Sequence, residues 1–367
     1  MDTSDAEIRF DALGVCNHCL TFDMLARPHL QDTVAQQGKL AQIVDRIKRA
    51  GAGRSHDCVI GMSGGVDSSY VAVRAVELGL RPLAVHVDGG WNSELAVNNI
   101  ENIVNQLGVE LETVVIAWPE MRDLQLAFFK ASVANCDIPQ DHAFVASTFR
   151  TALSRGIRTI LSGVNMATEF VGTNWGHTFG DLRHLRAIHA QHGSIRLKTY
   201  PTFNHFQMAI WWPYARRTRQ VPILNYMPYV KAEVKRLLMD KFGWRDYGGK
   251  HYESVLTKFF QAYYLPVKFG YDKRRIHLSS LILSGQITRE DALTELSQPL
   301  YVDDQLVPDK EFIAKKLGVS AVELERILAL PVRSHDAYPT NTKMVKQVQA
   351  VLGRARRWSA SFRGKGS

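Results

Sequence analysis

Cysteine is scarce in this chain: Cys16, Cys19, Cys58 and Cys136 are the only four in 367 residues. They are too few and too scattered to form a disulfide framework, so reduced thiols are expected. No apolar run approaches the roughly 18 residues that a membrane-spanning helix needs, and residues 1–30 have neither the basic start nor the apolar centre of a signal peptide. Those absences point to the cytoplasm and to no membrane partner. There is no internal repeat or low-complexity tract, and no nucleophile elbow or Cys-His signature of the kind that hydrolyses glutamine. What is present is ordinary for a globular enzyme: 46% hydrophobic and 22% charged residues, in a chain long enough for two domains or for one with extensions. The net charge of +9 suits an anionic partner, although part of it sits in the tail from Arg354 to Lys365. RNA, ATP and a sugar nucleotide are all anions, so charge alone does not choose among them.

The chain divides by pattern. Residues 1–54 form an N-terminal segment holding Cys16-Asn17-His18-Cys19, with a helix near Lys39–Arg49 that ends at Gly51. Over residues 55–220, strand-like runs at Asp57–Met62, Pro82–Val87, Glu112–Ala117 and Arg158–Gly163 alternate with helical patterns at Ser68–Leu78, Glu94–Leu107, Pro119–Val133 and His142–Arg155. Repeated βα units predict an α/β fold with a doubly wound parallel sheet, whose ligands bind beyond the carboxyl ends of the strands. Residues 165–220 are rich in His, Trp, Arg and Gly with little periodicity, which suits active-site loops. Residues 221–345 read as a helical region for substrate or partner, with patterns at Met227–Phe242, Tyr252–Tyr264, Arg274–Ser284, Arg289–Leu296, Asp309–Leu317 and Ala321–Leu328. Residues 346–367 read as a C-terminal helix and a basic, disordered tail.

Between the first strand and the first helix lies Ser63-Gly64-Gly65-Val66-Asp67-Ser68-Ser69. Two glycines let the backbone approach an anion, the serines add hydroxyl donors, and the helix N-terminus supplies N–H groups and a favourable dipole. A pyrophosphate is the expected anion; the loop lacks the Gly-Lys-[Ser/Thr] ending of Walker A and differs from the dinucleotide fingerprint. The plain alternative is a Gly/Ser turn before a helix. The segment resembles the PP-loop of the ATP pyrophosphatases, which cleave ATP between its α- and β-phosphates and adenylate an oxygen. Asp67 beside a phosphate calls for a bridging Mg²⁺. Gly163-Val164-Asn165, closing the fourth strand, offers Gly163 and an orienting amide on Asn165, while Glu169 is either a second magnesium ligand or a solvated loop carboxylate. Asp88, in Asp88-Gly89-Gly90, either binds ribose or adenine or simply makes a turn.

Further along stand Gly248-Gly249-Lys250-His251-Tyr252-Glu253-Ser254, then Lys268-Phe269-Gly270-Tyr271-Asp272-Lys273-Arg274-Arg275, then Ser284-Gly285-Gln286-Ile287-Thr288-Arg289-Glu290. With the PP-loop and Gly14-Val15-Cys16-Asn17-His18-Cys19, these stretches resemble the N-acetyl sugar amidotransferase family, from about residue 8 to residue 340. The resemblance implies an adenine nucleotide alpha hydrolase-like PP-loop domain, ATP and Mg²⁺, and conversion of an acetamido group on a nucleotide-activated sugar into an acetamidino group. The pathways it implies build bacterial lipopolysaccharide O-antigen and nonulosonic acids. It also implies two partners, a separate glutaminase and a cyclase-like ammonia-channel subunit.

Lys250, His251, Lys268, Lys273, Arg274 and Arg275 supply cations for a substrate diphosphate or carboxylate, the alternative being a solvated basic face. His251 can also assist proton transfer from ammonia or be structural. Cys16 and Cys19 have metal-ligand spacing, but a closed zinc site takes four ligands. Family members often carry another Cys-x-x-Cys upstream, which residues 1–15 do not contain. Asp309–Leu328 resembles a helix-turn-helix, with a plain packed helix pair as the alternative. Two other functions compete: a PP-loop enzyme that thiolates or aminates tRNA, and a nucleotide-sensing or DNA-binding module without catalysis.

Overall fold

The computed structural model describes residues 1–345 and 347, apart from 174, 250, 251 and 302. Lys250, His251 and, residue 347 aside, the helix and tail expected over 346–367 lie outside the described residues.

Five parallel strands form one sheet: β1 (Cys58–Gly61), β2 (Pro82–Asp88), β3 (Glu110–Val115), β4 (Thr159–Ser162) and β5 (Arg219–Pro222), in the order β3-β2-β1-β4-β5. Alternate residues feed two separate cores. Val59, Leu83, Val85 and Val87 pack with Met121, Phe128 and Phe149 on one face, while Cys58, Ile60 and Ala84 pack with Val71, Ile100 and Ile103 on the other. Burial on both faces explains why β1 and β2 read as nearly continuous apolar runs, broken within β2 by the buried His86. Helices Val66–Glu77 and Glu94–Leu107 cover the second face, and Trp118–Ala131 and Ile138–Ser154 the first. The helices change sides where the chain leaves β3 at one edge and re-enters the sheet as β4, next to β1. That reversal opens a crevice between the carboxyl ends of β1 and β4.

Helix Glu94–Leu107 has its expected bounds because Ser93 accepts a hydrogen bond from Ala96 N at its start and Gly108, at φ 63°, ends it. The helix expected from Met227 starts only at Lys231, since Pro228 holds Met227 extended at φ −144°. β5 escaped the sequence reading altogether. Arg-Gln-Val-Pro carries no run of strand formers, and it pairs as an edge strand because β4 presents an open parallel edge.

The residues beyond 220 do not stand apart from the sheet. Val234 and Leu238 of helix Lys231–Phe242, together with Trp244, share the core of the helix that follows the PP-loop. Helix Arg274–Leu283 packs on Met166–Glu169 after β4. Asp303–Leu317 and Ala321–Leu328 bury Ile313, Leu317, Leu324 and Ile327 in the core that also holds Leu124 and Phe128 of helix Trp118–Ala131, so this is a packed helix pair. Among the described residues, no helix is long and apolar enough to cross a membrane.

Candidate functional site

After β1 the backbone turns at Gly64, whose φ is +81°. A Cβ there would stand 2.5 Å from the Ala96 carbonyl oxygen, so both the backbone region and the space require glycine. Gly65 caps helix Val66–Glu77 in an extended conformation. Ser63 Oγ accepts from Gly65 N at 3.2 Å and lies 3.2 Å from Ser68 Oγ, and the Ser68 hydroxyl also approaches Gly65 O at 3.1 Å. Two aromatic residues from beyond the sheet hold the loop: the Trp244 indole donates to Gly64 O at 2.9 Å, and Tyr247 OH accepts from Val66 N at 3.3 Å. The result is a rigid cradle at a helix N-terminus, suited to phosphate oxygens.

This cradle floors a cavity of about 430 Å³ at the β1/β4 reversal, lined by Ser63, Gly65, Asp67 and Ser68 together with Gly163 and Glu169. The two loops touch closely: a Cβ on Gly163 would lie 2.9 Å from Asp67 Cβ. Tyr229 OH donates to Asp67 Oδ1, and burial followed by the charge of Asp67 pushes the Tyr229 phenol far above its usual range, with Glu169 adding to the shift. Among the described residues, no three His, Cys, Asp or Glu side chains cluster to hold a metal. Mg²⁺ does not require such a cage, because it binds through one or two carboxylates and takes phosphate oxygens and water for the rest. Asp67 and Glu169 fit that all-oxygen pattern.

Other expected residues lie elsewhere. Gly64 shapes the turn and Ser69 is buried beneath it, so neither lines the cavity. Asn165 is 2% exposed; its Oδ1 accepts from Thr168 N at 2.9 Å, so it caps Met166–Glu169 and positions Glu169 without facing the cavity. Asp88 Oδ1 accepts from Gly90 N at 2.7 Å and borders a different cavity, of about 370 Å³. Lys268 donates to Leu328 O at 2.8 Å at the end of helix Ala321–Leu328, and burial lowers its pKa to about 8. Arg275 pairs with Asp2. Lys273 does line the cavity. The metal-ligand spacing of Cys16 and Cys19 gains no third ligand among the described residues: their sulfurs sit 3.3 Å apart, Cys16 caps helix Asn17–Leu25, and the nearby His18 pairs with Asp5 at 2.7 Å. Cys136 is a buried core thiol and His142 bridges Phe179 O and Phe203 N, so neither completes a site.

Arg274 is occupied by the fold. Its guanidinium binds Asp272 at 2.8 Å and the carbonyls of Glu295 and Gln298 at 2.9 Å, tying Arg274–Leu283 to the end of Arg289–Ser297. Arg274→Ala is expected to cost about 2–3 kcal/mol of stability, seen as a lower melting temperature with the KM for ATP unchanged. A raised KM in a protein of normal melting temperature would instead assign Arg274 to binding.

The sequence did not point to Tyr229, Trp244, Asp137, Asp141, Lys231 or Lys235 as site residues. Glu253 and Gly249 belong to a stretch already singled out, and both line the cavity. Asp141 also faces it, and burial, then the neighbouring Asp137, raises its pKa from 3.8 to about 7. The folded protein therefore holds a proton that the unfolded chain has released in that window. Stability from this group is complete below about pH 4 and is lost as pH rises through about 7. Asp141→Asn is accordingly expected to melt progressively higher than the parent protein between pH 5 and pH 8 by calorimetry. A difference that stays constant across that window would show Asp141 ionised throughout.

A second cavity of about 910 Å³ adjoins the first, and both are lined by Lys231, Lys235, Tyr247, Gly249, Gln261 and Lys273. Comparison with known families fits this arrangement. The NAD synthase family matches residues 38–190, and the family described as LPS biosynthesis protein WbpG-like, C-terminal domain, matches residues 253–351. The chain thus carries an NAD synthase-like PP-loop region followed by a WbpG-like C-terminal region. Among solved structures it is similar to NMN synthetase from Francisella tularensis, at 13% identity and a TM-score of 0.39, covering 82% of this chain and 98% of that one. It is also similar to an NH3-dependent NAD synthetase from Campylobacter jejuni in complex with nitrate, at 14% identity and a TM-score of 0.32, covering 77% and 94%. No curated protein matches the chain. The PP-loop match runs from the helix before β1 to beyond β4, and the WbpG-like match opens at Glu253 on the cavity wall.

Proposed function

We propose that this PP-loop protein is an ATP-dependent amidotransferase that turns an acetamido group of a nucleotide-activated sugar into an acetamidino group in bacterial surface-polysaccharide synthesis. The observation that carries the reading is the pair of adjoining cavities. One is built on the PP-loop; the other is walled by the WbpG-like region, and Lys231, Lys235 and Lys273 stand where they meet.

An amide carbonyl is a poor electrophile, and its oxygen is a poor leaving group. In this reading the acetamido oxygen attacks the α-phosphorus of ATP and pyrophosphate departs. Ser63, Gly65, Ser68 and the helix N-terminus hold the departing pyrophosphate, where negative charge grows. Asp67 and Glu169 would hold Mg²⁺, which when bound would neutralise charge on the phosphates. Tyr229 fixes the Asp67 carboxylate by hydrogen bond. Ammonia then adds to the imidate carbon, AMP leaves with the former amide oxygen, and the amidine remains. The nitrogen comes from a separate glutaminase through a cyclase-like subunit. Lys231, Lys235 and Lys273 hold the sugar-nucleotide diphosphate.

The oxygen balance gives a direct test. With the acetamido oxygen labelled with ¹⁸O, the label is expected in AMP and absent from pyrophosphate, read by mass spectrometry. Label retained in the sugar would overturn this reading, and ATP cleavage that ignores acetamido sugars and depends on RNA would replace it with a tRNA-modifying one.

A further inference from the structure

Between Asp181 and Glu233 the chain has no acidic residue but eight lysines and arginines. The centre of that stretch, the π-helix Gln207–Ala215, is turned outward. Trp212 alone is buried, stacked on Phe149 at 4.0 Å, and it anchors the helix. Around it Phe206 is 57% exposed, Ile210 51%, Trp211 46% and Tyr214 66%. Beside these side chains, Arg54, Arg158, Arg216 and Arg217 border a shallow cavity of about 450 Å³ that no carboxylate lines. The Arg219 guanidinium lies 5.8 Å from the Tyr214 ring.

We propose that this surface docks the chain on an anionic lipid bilayer. Exposed apolar patches of this kind mark interaction sites. The pairing of protruding Ile, Phe and Trp with Tyr and a rim of arginines suits the interface of a bilayer, where apolar side chains enter the acyl boundary and cations meet lipid phosphates. Aliphatic Ile210 and Met208 have no role on a base-stacking platform, which argues against RNA.

The position is also favourable. Arg158 immediately precedes β4 and Arg219 opens β5, whereas the PP-loop and Gly163 close β1 and β4. In a parallel sheet these are opposite ends. Docking at one end leaves the cavity at the other open to water and turned away from lipid phosphates that would repel anionic nucleotides. The inference needs no spanning helix and does not rest on the proposed reaction; it revises the expectation that the chain has no membrane partner.

Full-length protein is expected to sediment with vesicles of phosphatidylcholine and phosphatidylglycerol, and to be released by high salt. The Trp211→Ala, Tyr214→Ala pair and, separately, the Arg216→Glu, Arg217→Glu pair are each expected to weaken partitioning by about tenfold or more. Melting temperature and pyrophosphate release in solution should stay unchanged, because none of these residues lines the PP-loop cavity. Any of these results would overturn the proposal: no sedimentation with anionic vesicles, equal binding to pure phosphatidylcholine, full binding by folded variants, or a stable dimer that Trp211→Ala dissociates. Competition of vesicle binding by RNA at equal charge would assign the patch to nucleic acid and would also overturn it.

Discussion

Asp67→Asn protein is expected to fold normally and to release pyrophosphate at least about 100-fold more slowly than the parent. Asn keeps the shape, and its carbonyl oxygen can still accept from Tyr229 OH, so the contact to the helical region survives. What is lost is the negative charge of Asp67, which with Glu169 forms the carboxylate pair proposed to hold magnesium in this cavity. Weakened electrostatic stabilisation of this size, about 3 kcal/mol, corresponds to about two decades in rate. Raising the magnesium concentration should recover part of the activity, because the lost ligand lowers metal affinity. The measurements are pyrophosphate and AMP formation alongside circular dichroism and melting. A folded Asp67→Asn protein that works at near-normal rate would remove Asp67 from the chemistry.

Gly64→Ala is expected to damage both fold and activity, in contrast to Gly65→Ala. At Gly64 the φ of +81° costs an L-residue about 1–2 kcal/mol, and the new methyl would meet a main-chain oxygen at 2.5 Å. Ala96 O lies in the first turn of helix Glu94–Leu107 and cannot swing aside as a side chain can. A combined cost of about 2–4 kcal/mol should lower the melting temperature by about 3–5 °C. Shifting the cradle by even about 1 Å should reduce turnover by about 100-fold. At Gly65 the nearest atoms are the side-chain tips of Ser63, Tyr247 and Glu253, at 3.1, 3.2 and 3.3 Å, and φ is an ordinary −71°. Gly65→Ala should therefore melt within about 1 °C of the parent while losing activity, because its methyl fills the anion cradle. If both variants melted alike, the close approach at Ala96 would not be what demands glycine at Gly64.

The lysine and arginine positions show where sequence reasoning stops. Lys268, Lys273, Arg274 and Arg275 look equivalent in a basic stretch, yet they reach different surroundings. Lys273 lines both cavities, Lys268 caps a helix, Arg274 clamps two helices together at the edge of the second cavity and Arg275 pairs with the N-terminal segment. Charge is visible in a sequence, but the partner that consumes it is set by side-chain direction and by elements far away in the chain. The same holds for Tyr229, Trp244 and Tyr247. As isolated aromatics they carry no signal, and they matter because helix Lys231–Phe242 and the segment after it pack against the helix that follows the PP-loop.

By itself the sequence determined the parallel α/β class, four of the five strands and the Gly/Ser loop between β1 and its helix, and it singled out Asp67 and Glu169, which the fold brings to one cavity. These are local signals: alternating βα patterns, glycines that permit φ > 0, and a helix start placed directly after a strand. Only the tertiary structure decided that Arg219–Pro222 is a fifth strand, that Asn165 and Asp88 serve their own turns, and that the helical region forms a wall of the PP-loop cavity. An edge strand exists because a neighbour offers unpaired backbone, and a side chain becomes part of a site only when distant packing aims it there. Neither condition is written in a residue's own neighbourhood in the chain.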